Sequence, residues 1–168
     1  MLRVVASTAL EWEMRMFLLF SAITALASIA GATATRRAPK KLWYRALRKP
    51  KQTPPDWVFG VVWPVLYGLI AWSGARTAKK KDRAALALWS SQLVFNAAWS
   101  PLFFGAHKSR LALVDLGLTL ASASAYTWRV AKNDRPAALA MTPYLAWLSY
   151  AGTLNAGIVR KNPALLAG

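Results

Sequence analysis

The chain contains no cysteine, and both histidine and acidic residues are scarce. Among its 168 residues, one is histidine and six are aspartate or glutamate. The lack of cysteine excludes disulfides, thiolate zinc sites and cysteine nucleophiles. A catalytic metal site draws its ligands from several His, Asp or Glu side chains, and a lone His107 with so few carboxylates disfavours one. The sequence therefore predicts no metal site, no catalytic residue and no required cofactor.

Charged residues are also less frequent than in soluble domains, where they make up roughly a quarter of the chain. Here 17% are charged, 56% are hydrophobic, and the formal net charge is +16. A basic protein can bind nucleic acid, but these basic residues sit between apolar runs. Flanking residues of this kind lie at the level of anionic lipid headgroups. The pattern favours a lipid bilayer as partner and disfavours nucleic acid.

Five apolar stretches are long enough to cross a bilayer, which takes about 20 mainly apolar residues in a helix. Backbone groups in hydrocarbon must be paired internally, so runs of this length predict helices rather than barrel strands. The predicted fold class is all-α, an integral membrane protein with five transmembrane helices in a bundle. The stretches cover residues 16–34, 57–75, 84–106, 111–128 and 136–159.

These stretches divide the chain into three parts. Residues 1–15 form an N-terminal extension whose apolar run is too short for a secretory signal. Residues 16–160 form the five-helix membrane domain, and residues 161–168 form a C-terminal tail. Lysine and arginine are divided almost evenly between the two sides, so the positive-inside rule selects no orientation.

The first connection between spans is the longest and carries signals of order. Trp43 and Tyr44 suit an aromatic belt at the membrane interface. The sequence Thr53-Pro54-Pro55-Asp56 predicts a helix N-cap at Thr53 with proline at the first helical position. We therefore expect this loop to pack on the bundle.

Three stretches place aromatic and polar residues together on one helical face. An amide against lipid is costly, so these faces should turn inward. One interpretation is that the amides join helices by hydrogen bonds and the aromatic rings fill the core. The other is an apolar ligand site with a few polar anchors. The faces consist of Trp63 and Tyr67; Gln92, Asn96, Trp99 and Phe103; and Trp147, Ala151 and Asn155 with Leu154 alongside.

Asp115 is the one acidic residue inside a predicted span. An intramembrane carboxylate is by default a functional candidate, for example in a proton relay. Lys108 and Arg110 precede it, however, and an interfacial ion pair or a role at the helix start is the alternative.

Several stretches resemble the TspO/MBR family, also called the peripheral-type benzodiazepine receptor family. They are WYRALRKPKQTPPDW (43–57), WPVLY (63–67), QLVFNAAWSPLFFGA (92–106), ALVDL (112–116) and PYLAWLSYAGTLN (143–155). The resemblance covers roughly residues 40 to 160, and the first span fits it by hydropathy and position only.

This resemblance implies a five-helix bundle, often a homodimer, in a bacterial cell envelope or the mitochondrial outer membrane. It also implies a pocket beneath the first loop that accepts porphyrin or haem, and cholesterol and synthetic drugs in animal members. The chain departs from the animal sterol motif, because no tyrosine lies between Leu154 and Arg160. The ligand-binding residues implied by the resemblance are Trp43, Pro50, Trp63, Tyr67, Asn96, Trp99, Phe103, Trp147, Ala151 and Leu154.

Three functional hypotheses follow from the resemblance. The first is a membrane receptor or transporter for tetrapyrroles, with sterols as a second ligand class. The second is an enzyme that degrades porphyrins in light, as has been linked to members of the family. The third is an interaction protein whose ligand shifts the stability of a dimer.

Overall fold

The computed structural model describes residue 11, residues 14–26 and residues 38–163. All regular structure in these residues is helical, which confirms the expected all-α class. Much of the predicted extension and tail, and residues 27–34 of the first predicted span, lie outside the described residues. The helices are α1 (Met14–Leu26), α2 (Ala38–Ala46), α3 (Asp56–Lys79), α4 (Arg83–Ser100), α5 (Ser109–Ala131) and α6 (Arg135–Lys161), with a π-helical turn at Pro101–Gly105.

The second to fifth predicted spans correspond to α3, α4 with the π-helical turn, α5 and α6. Within the part of the chain that the structure describes, one helix, α3, is by itself long and apolar enough to cross a membrane. Helices α4, α5 and α6 carry aromatic, hydroxyl and amide side chains, and these lower their mean hydropathy.

Helix α5 lies between α4 and α6, and α3 packs chiefly on α6. Gly74 of α3 lies where α1 and α4 come close to this helix. A Cβ atom there would lie 2.6 Å from the Trp89 indole and 2.5 Å from Phe20. The buried Trp89 Nε1 also donates to the Ile70 carbonyl oxygen at 2.9 Å. A residue without a side chain therefore lets α1 and α4 both approach α3.

The third predicted span is not a uniform α-helix. After Ser100 the backbone widens into the π-helical turn, in which Ala106 N donates to the Pro101 carbonyl oxygen at 2.8 Å. Such turns often occur at functional sites. The wider turn here brings Phe103 and Phe104 against the first loop.

The predicted start of α3 is wrong. The helix begins at Asp56, and Pro55 precedes it in an extended conformation, with ψ 150° and no side-chain cap. The Thr53 hydroxyl instead donates to the Pro50 carbonyl oxygen at 2.8 Å. Pro54 precedes another proline, which disfavours the helical conformation there, so the helix cannot start at Pro54.

Candidate ligand-binding site

Four of the predicted site residues, Trp63, Tyr67, Asn96 and Trp147, meet between α3, α4 and α6. Together with Phe59 and Tyr144 they form the group that we call the inner cluster. Trp63 stacks on Tyr67 with 5.1 Å between ring centroids and meets Trp147 edge to face at 6.5 Å. Phe59 also meets Trp147 edge to face, with 5.6 Å between ring centroids. Helical spacing on α3 and α6 thus places two indoles at right angles to each other.

A chain of hydrogen bonds holds the inner cluster together. Tyr67 OH donates to Asn96 Oδ1 at 3.0 Å, and Asn96 Nδ2 donates to Tyr144 OH at 3.1 Å. One amide on α4 therefore joins α3 to α6, which confirms that Asn96 bonds between helices. Tyr144 is fully buried at 0% exposure, whereas Trp63, Tyr67 and Trp147 are only half-buried and keep part of each ring accessible.

Two side chains at this level have buried polar atoms without partners. Trp147 Nε1 and both amide atoms of Gln92 make no hydrogen bond within the described residues. Gln92 is 0% exposed and lies one turn before Asn96 on α4. It faces inward as expected, but it does not join helices. A buried polar atom without a partner costs stability, so a guest that supplied a partner would bind more tightly.

A second aromatic group lies where the first loop, which contains α2, meets the bundle. We call it the loop-end cluster: Trp43, Tyr44, Trp99, Phe103, Phe104 and His107. Trp99 stacks on Phe103 at 4.8 Å, and Trp43 meets the same ring at 5.6 Å. The expected packing of the first loop on the bundle is confirmed by these contacts. Burial, reinforced by the negative charge of Asp56, raises the pKa of the Tyr44 hydroxyl above its usual value.

Trp99 connects the two clusters, since it packs against the buried residues around both. Asn155 of α6 fixes its indole when the amide is oriented to satisfy its neighbours. In that orientation Asn155 Oδ1 accepts from Trp99 Nε1 at 3.3 Å and from Leu113 N at 3.2 Å. The predicted face of Trp147, Ala151 and Asn155 is thus used partly for packing. Ala151 packs on the main core, and Leu154 is buried on α6.

The first loop is fastened to α6. Pro50 rests directly on Gly157, where an added Cβ would lie 2.6 Å from the proline ring. Asn162 at the end of α6 pairs with Arg48: Arg48 N donates to Oδ1 at 2.8 Å, and Nδ2 donates to the Arg48 carbonyl oxygen at 2.9 Å. Tyr150 OH donates to the Gln52 carbonyl oxygen at 2.5 Å. Residues 48–53 of the first loop therefore lie along the last three turns of α6, and we call this segment the lid.

Sequence reasoning missed some members of both clusters. Tyr144 lies three residues before Trp147, a helical spacing that could have indicated it. Phe59 precedes Trp63 by four residues and could have been found in the same way. Tyr44 was noted in the sequence only for the membrane interface. Helical spacing does not indicate Tyr44, Phe104 or His107 as members of the cluster, because they join it through contacts between distant segments, such as the stacking of His107 on Trp43 of α2 at 4.3 Å.

Asp115 does not form the ion pair that was one of its alternative interpretations. It is 7% exposed on the inward face of α5, and its Oδ2 has no partner within the described residues. Lys108 and Arg110 are exposed at the start of α5, and neither forms an ion pair with it in the described ranges. The described ranges also contain no cluster of three or more His, Asp or Glu side chains that could hold a metal ion.

Comparisons with known proteins agree on one family. The model of the TspO/MBR family matches residues 19–160. The chain is 36% identical over 157 residues to the translocator protein of Bos taurus, covering 89% of this chain and 91% of the relative. It is 37% identical over 153 residues to protein CrtK of Rhodobacter capsulatus, covering 86% and 93%. It is 35% identical over 139 residues to the tryptophan-rich protein TspO of Chlorobaculum tepidum, covering 80% and 87%.

Proposed function

This chain belongs to the TspO/MBR family, and from that premise we propose that it is a five-span membrane protein that binds tetrapyrroles in the inner cluster. Members of the family in bacteria and mitochondria are membrane proteins. The observation that carries the ligand proposal is the pair of half-buried indoles, Trp63 and Trp147, beside the Asn96 hydrogen-bond chain.

Helix length supports four of the five proposed crossings, those made by α3 to α6. At about 1.5 Å per residue, helix α3 with 24 residues and helix α6 with 27 exceed the roughly 30 Å of bilayer hydrocarbon. Helix α5, and α4 extended by its π-helical turn, are of similar length. The inward aromatic and amide residues lower their hydropathy without facing lipid. Washing membranes with alkaline carbonate should leave the protein in the pellet, and release into the supernatant would refute the proposed crossings.

The shape of the inner cluster fits a flat, largely apolar guest. Trp63 and Trp147 are inclined by 86°, so a planar ring would stack on one indole and meet the edge of the other. Both arrangements are favourable for aromatic rings. The unpartnered Trp147 Nε1 can donate to an acceptor on the guest. Lysines and arginines of the lid, such as Lys49 and Lys51, can attract the propionates of a porphyrin.

Titration with protoporphyrin, followed by tryptophan quenching in detergent or nanodiscs, tests this proposal. Losing one stacked indole removes roughly 2 kcal/mol of apolar and ring contact, which corresponds to a Kd raised about thirtyfold. We expect that increase for Trp63→Ala and for Trp147→Ala. Trp128→Ala is the matched control, because Trp128 is 68% exposed at the opposite end of the bundle. Absence of saturable binding, or equal effects of all three substitutions, would contradict the proposal.

Light-dependent degradation of the bound porphyrin is the second candidate function. The ring contacts among Tyr67, Trp63 and Trp147 favour it, because aromatic side chains in contact can pass electrons to a photo-excited guest. Molecular oxygen would be the oxidant, and no general base is needed. Illumination in air should then bleach the porphyrin in the wild type and not in Trp63→Phe. Intact porphyrin in the illuminated wild type would leave binding alone.

A further inference from the structure

Two ion pairs link neighbouring turns and helices at the end of the bundle opposite the lid. Arg76 of α3 donates to Asp134, with Nε 3.0 Å from Oδ2 and Nη2 3.1 Å from Oδ1. Arg129 of α5 donates to Asp82, with Nε 2.9 Å from Oδ2. Each aspartate also caps the helix that follows it, through Ala137 N and Ala85 N. Both carboxylates are therefore already engaged by arginines and backbone N–H groups.

A strongly positive surface surrounds these pairs. Residues 72–83 and 128–135 contain eight lysines and arginines against two aspartates. Lys81, Arg83, Lys132 and Arg135 are exposed and form no ion pair within the described ranges. Since the two acids are used internally, these cations are available to anions outside the protein.

A cavity lies between the two turns that carry this charge. Its volume is about 340 Å³, which is in the range of small-ligand sites. It is partly open to the surroundings, and Lys80 and Asn133 can donate hydrogen bonds into it. The lining residues are Thr77, Lys80, Asp82, Val130, Asn133 and Asp134.

Two exposed tryptophans indicate where this surface would lie in a bilayer. Trp128 is 68% exposed, and Lys132 Nζ lies 3.6 Å from its ring centroid. Trp72 is 37% exposed, and the Arg76 guanidinium carbon lies 5.0 Å from its ring centroid. Indoles exposed at a helix end settle at the headgroup level of a membrane. The cations beside them are then among lipid headgroups, which a soluble polyanion would reach less readily.

We propose that this end of the bundle binds anionic phospholipid, with a headgroup phosphate seated at Lys80 at the mouth of the cavity and Lys132 contributing from the same exposed surface. The tryptophans flank the acyl chains, and the remaining cations neutralise neighbouring anionic headgroups. The proposal depends on the protein being embedded in a membrane and not on which ligand occupies the inner cluster.

Native mass spectrometry of the protein released from nanodiscs tests this inference. The nanodiscs contain equal amounts of phosphatidylglycerol and phosphatidylcholine, and the retained lipids are counted. A basic residue near an anionic surface changes association about fivefold. We therefore expect the wild type to retain phosphatidylglycerol preferentially, and the variant Lys80→Gln/Lys132→Gln to fall close to parity. Raised salt should weaken the preference in the wild type.

The matched control is Lys108→Gln/Arg110→Gln, which removes two exposed cations at the lid end. It should retain the wild-type preference. Equal retention of the two lipids by the wild type would overturn the proposal, and so would an equal loss in the control, which would indicate a response to net charge alone. All the substituted residues are exposed, so a thermal melt within a few degrees of the wild type verifies that each variant is folded.

Discussion

Replacing Asn162 by alanine should loosen the lid without unfolding the bundle. Its amide is 4% exposed and makes two hydrogen bonds to the Arg48 backbone, at 2.8 Å and 2.9 Å. A third bond, at 2.8 Å, goes to the Ile158 carbonyl oxygen within α6. Only the two bonds to Arg48 join residues distant in sequence. At about 1 kcal/mol each, their loss should ease opening of the lid by about 2 kcal/mol.

That free energy corresponds to roughly a thirtyfold increase in the open population of the lid. Tyr150 and Lys161 retain their bonds to the Gln52 and Lys49 carbonyl oxygens, so the lid should remain attached at its other points. Hydrogen exchange of the peptide spanning residues 45–53 measures the effect directly, because the Arg48 N–H loses its acceptor. If the proposed ligand binds beneath the lid, its dissociation should accelerate by a similar factor.

Two further variants separate a local effect from a general one. Asn162→Asp keeps an acceptor for Arg48 N but loses the donor, so its exchange rate should lie between those of wild type and alanine variant. Asn133→Ala removes an exposed amide at the opposite end and should leave residues 45–53 unchanged. If the Arg48 amide stays protected in Asn162→Ala, or if exchange rises equally throughout the bundle, then Asn162 does not hold the lid.

Three other substitutions or conditions have defined outcomes. Gly74→Ala should destabilise the bundle by about 1–3 kcal/mol through overpacking against Trp89 and Phe20, whereas Gly68→Ala, with open space around it, should not lower the melting temperature in detergent. Asn96→Leu should raise the Kd for protoporphyrin more than Tyr67→Phe, because it breaks both bonds of the chain while the tyrosine variant breaks one. Burial alone would raise the pKa of Asp134, but the Arg76 guanidinium and the Ala137 N–H together outweigh this effect, so the pKa lies below its usual value. The stability from this pair is thus complete above the ordinary Asp pKa of about 4 and is lost as the pH falls through the lowered value, so acid melting should be steeper in the wild type than in Asp134→Asn.

Helical periodicity in the sequence was sufficient to predict which side chains of α3 and α4 face the other helices. Spacings of three and four residues put Asn96 and Trp99 inward on α4, and Trp63 with Tyr67 inward on α3. These predictions need only local geometry, since residues three or four apart share a helix face whatever surrounds them. The division into two clusters bridged by Trp99 could not be predicted, because it depends on how α4 packs against α5 and α6.

Contacts between distant segments were equally inaccessible to sequence reasoning. Asn162 and Arg48 are 114 residues apart, and Arg76 and Asp134 are 58 apart. Both pairs involve common polar residues in positions that look like ordinary loops. The sequence suggested an ion pair for Asp115 because cations lie nearby in the chain, but the rotation of α5 turns it inward and leaves them outside.

Mean hydropathy alone does not identify all of the predicted membrane spans in this chain. The residues that we propose to line the ligand site, such as Asn96, Tyr144 and Trp147, are those that lower the mean hydropathy of α4 and α6. A test on hydropathy alone therefore selects α3 among the described helices. The position of the polar residues around each helix shows whether they face the other helices or the surroundings, and mean hydropathy does not record that position.

An experimental structure of the protein with bound protoporphyrin would show most directly whether the inner cluster binds the ligand. We expect a macrocycle between α3, α4 and α6, in van der Waals contact with Trp63 or Trp147 and beneath the lid held by Asn162. A macrocycle bound on the outer surface, for example against Trp128, with the inner cluster unchanged, would contradict binding in the inner cluster.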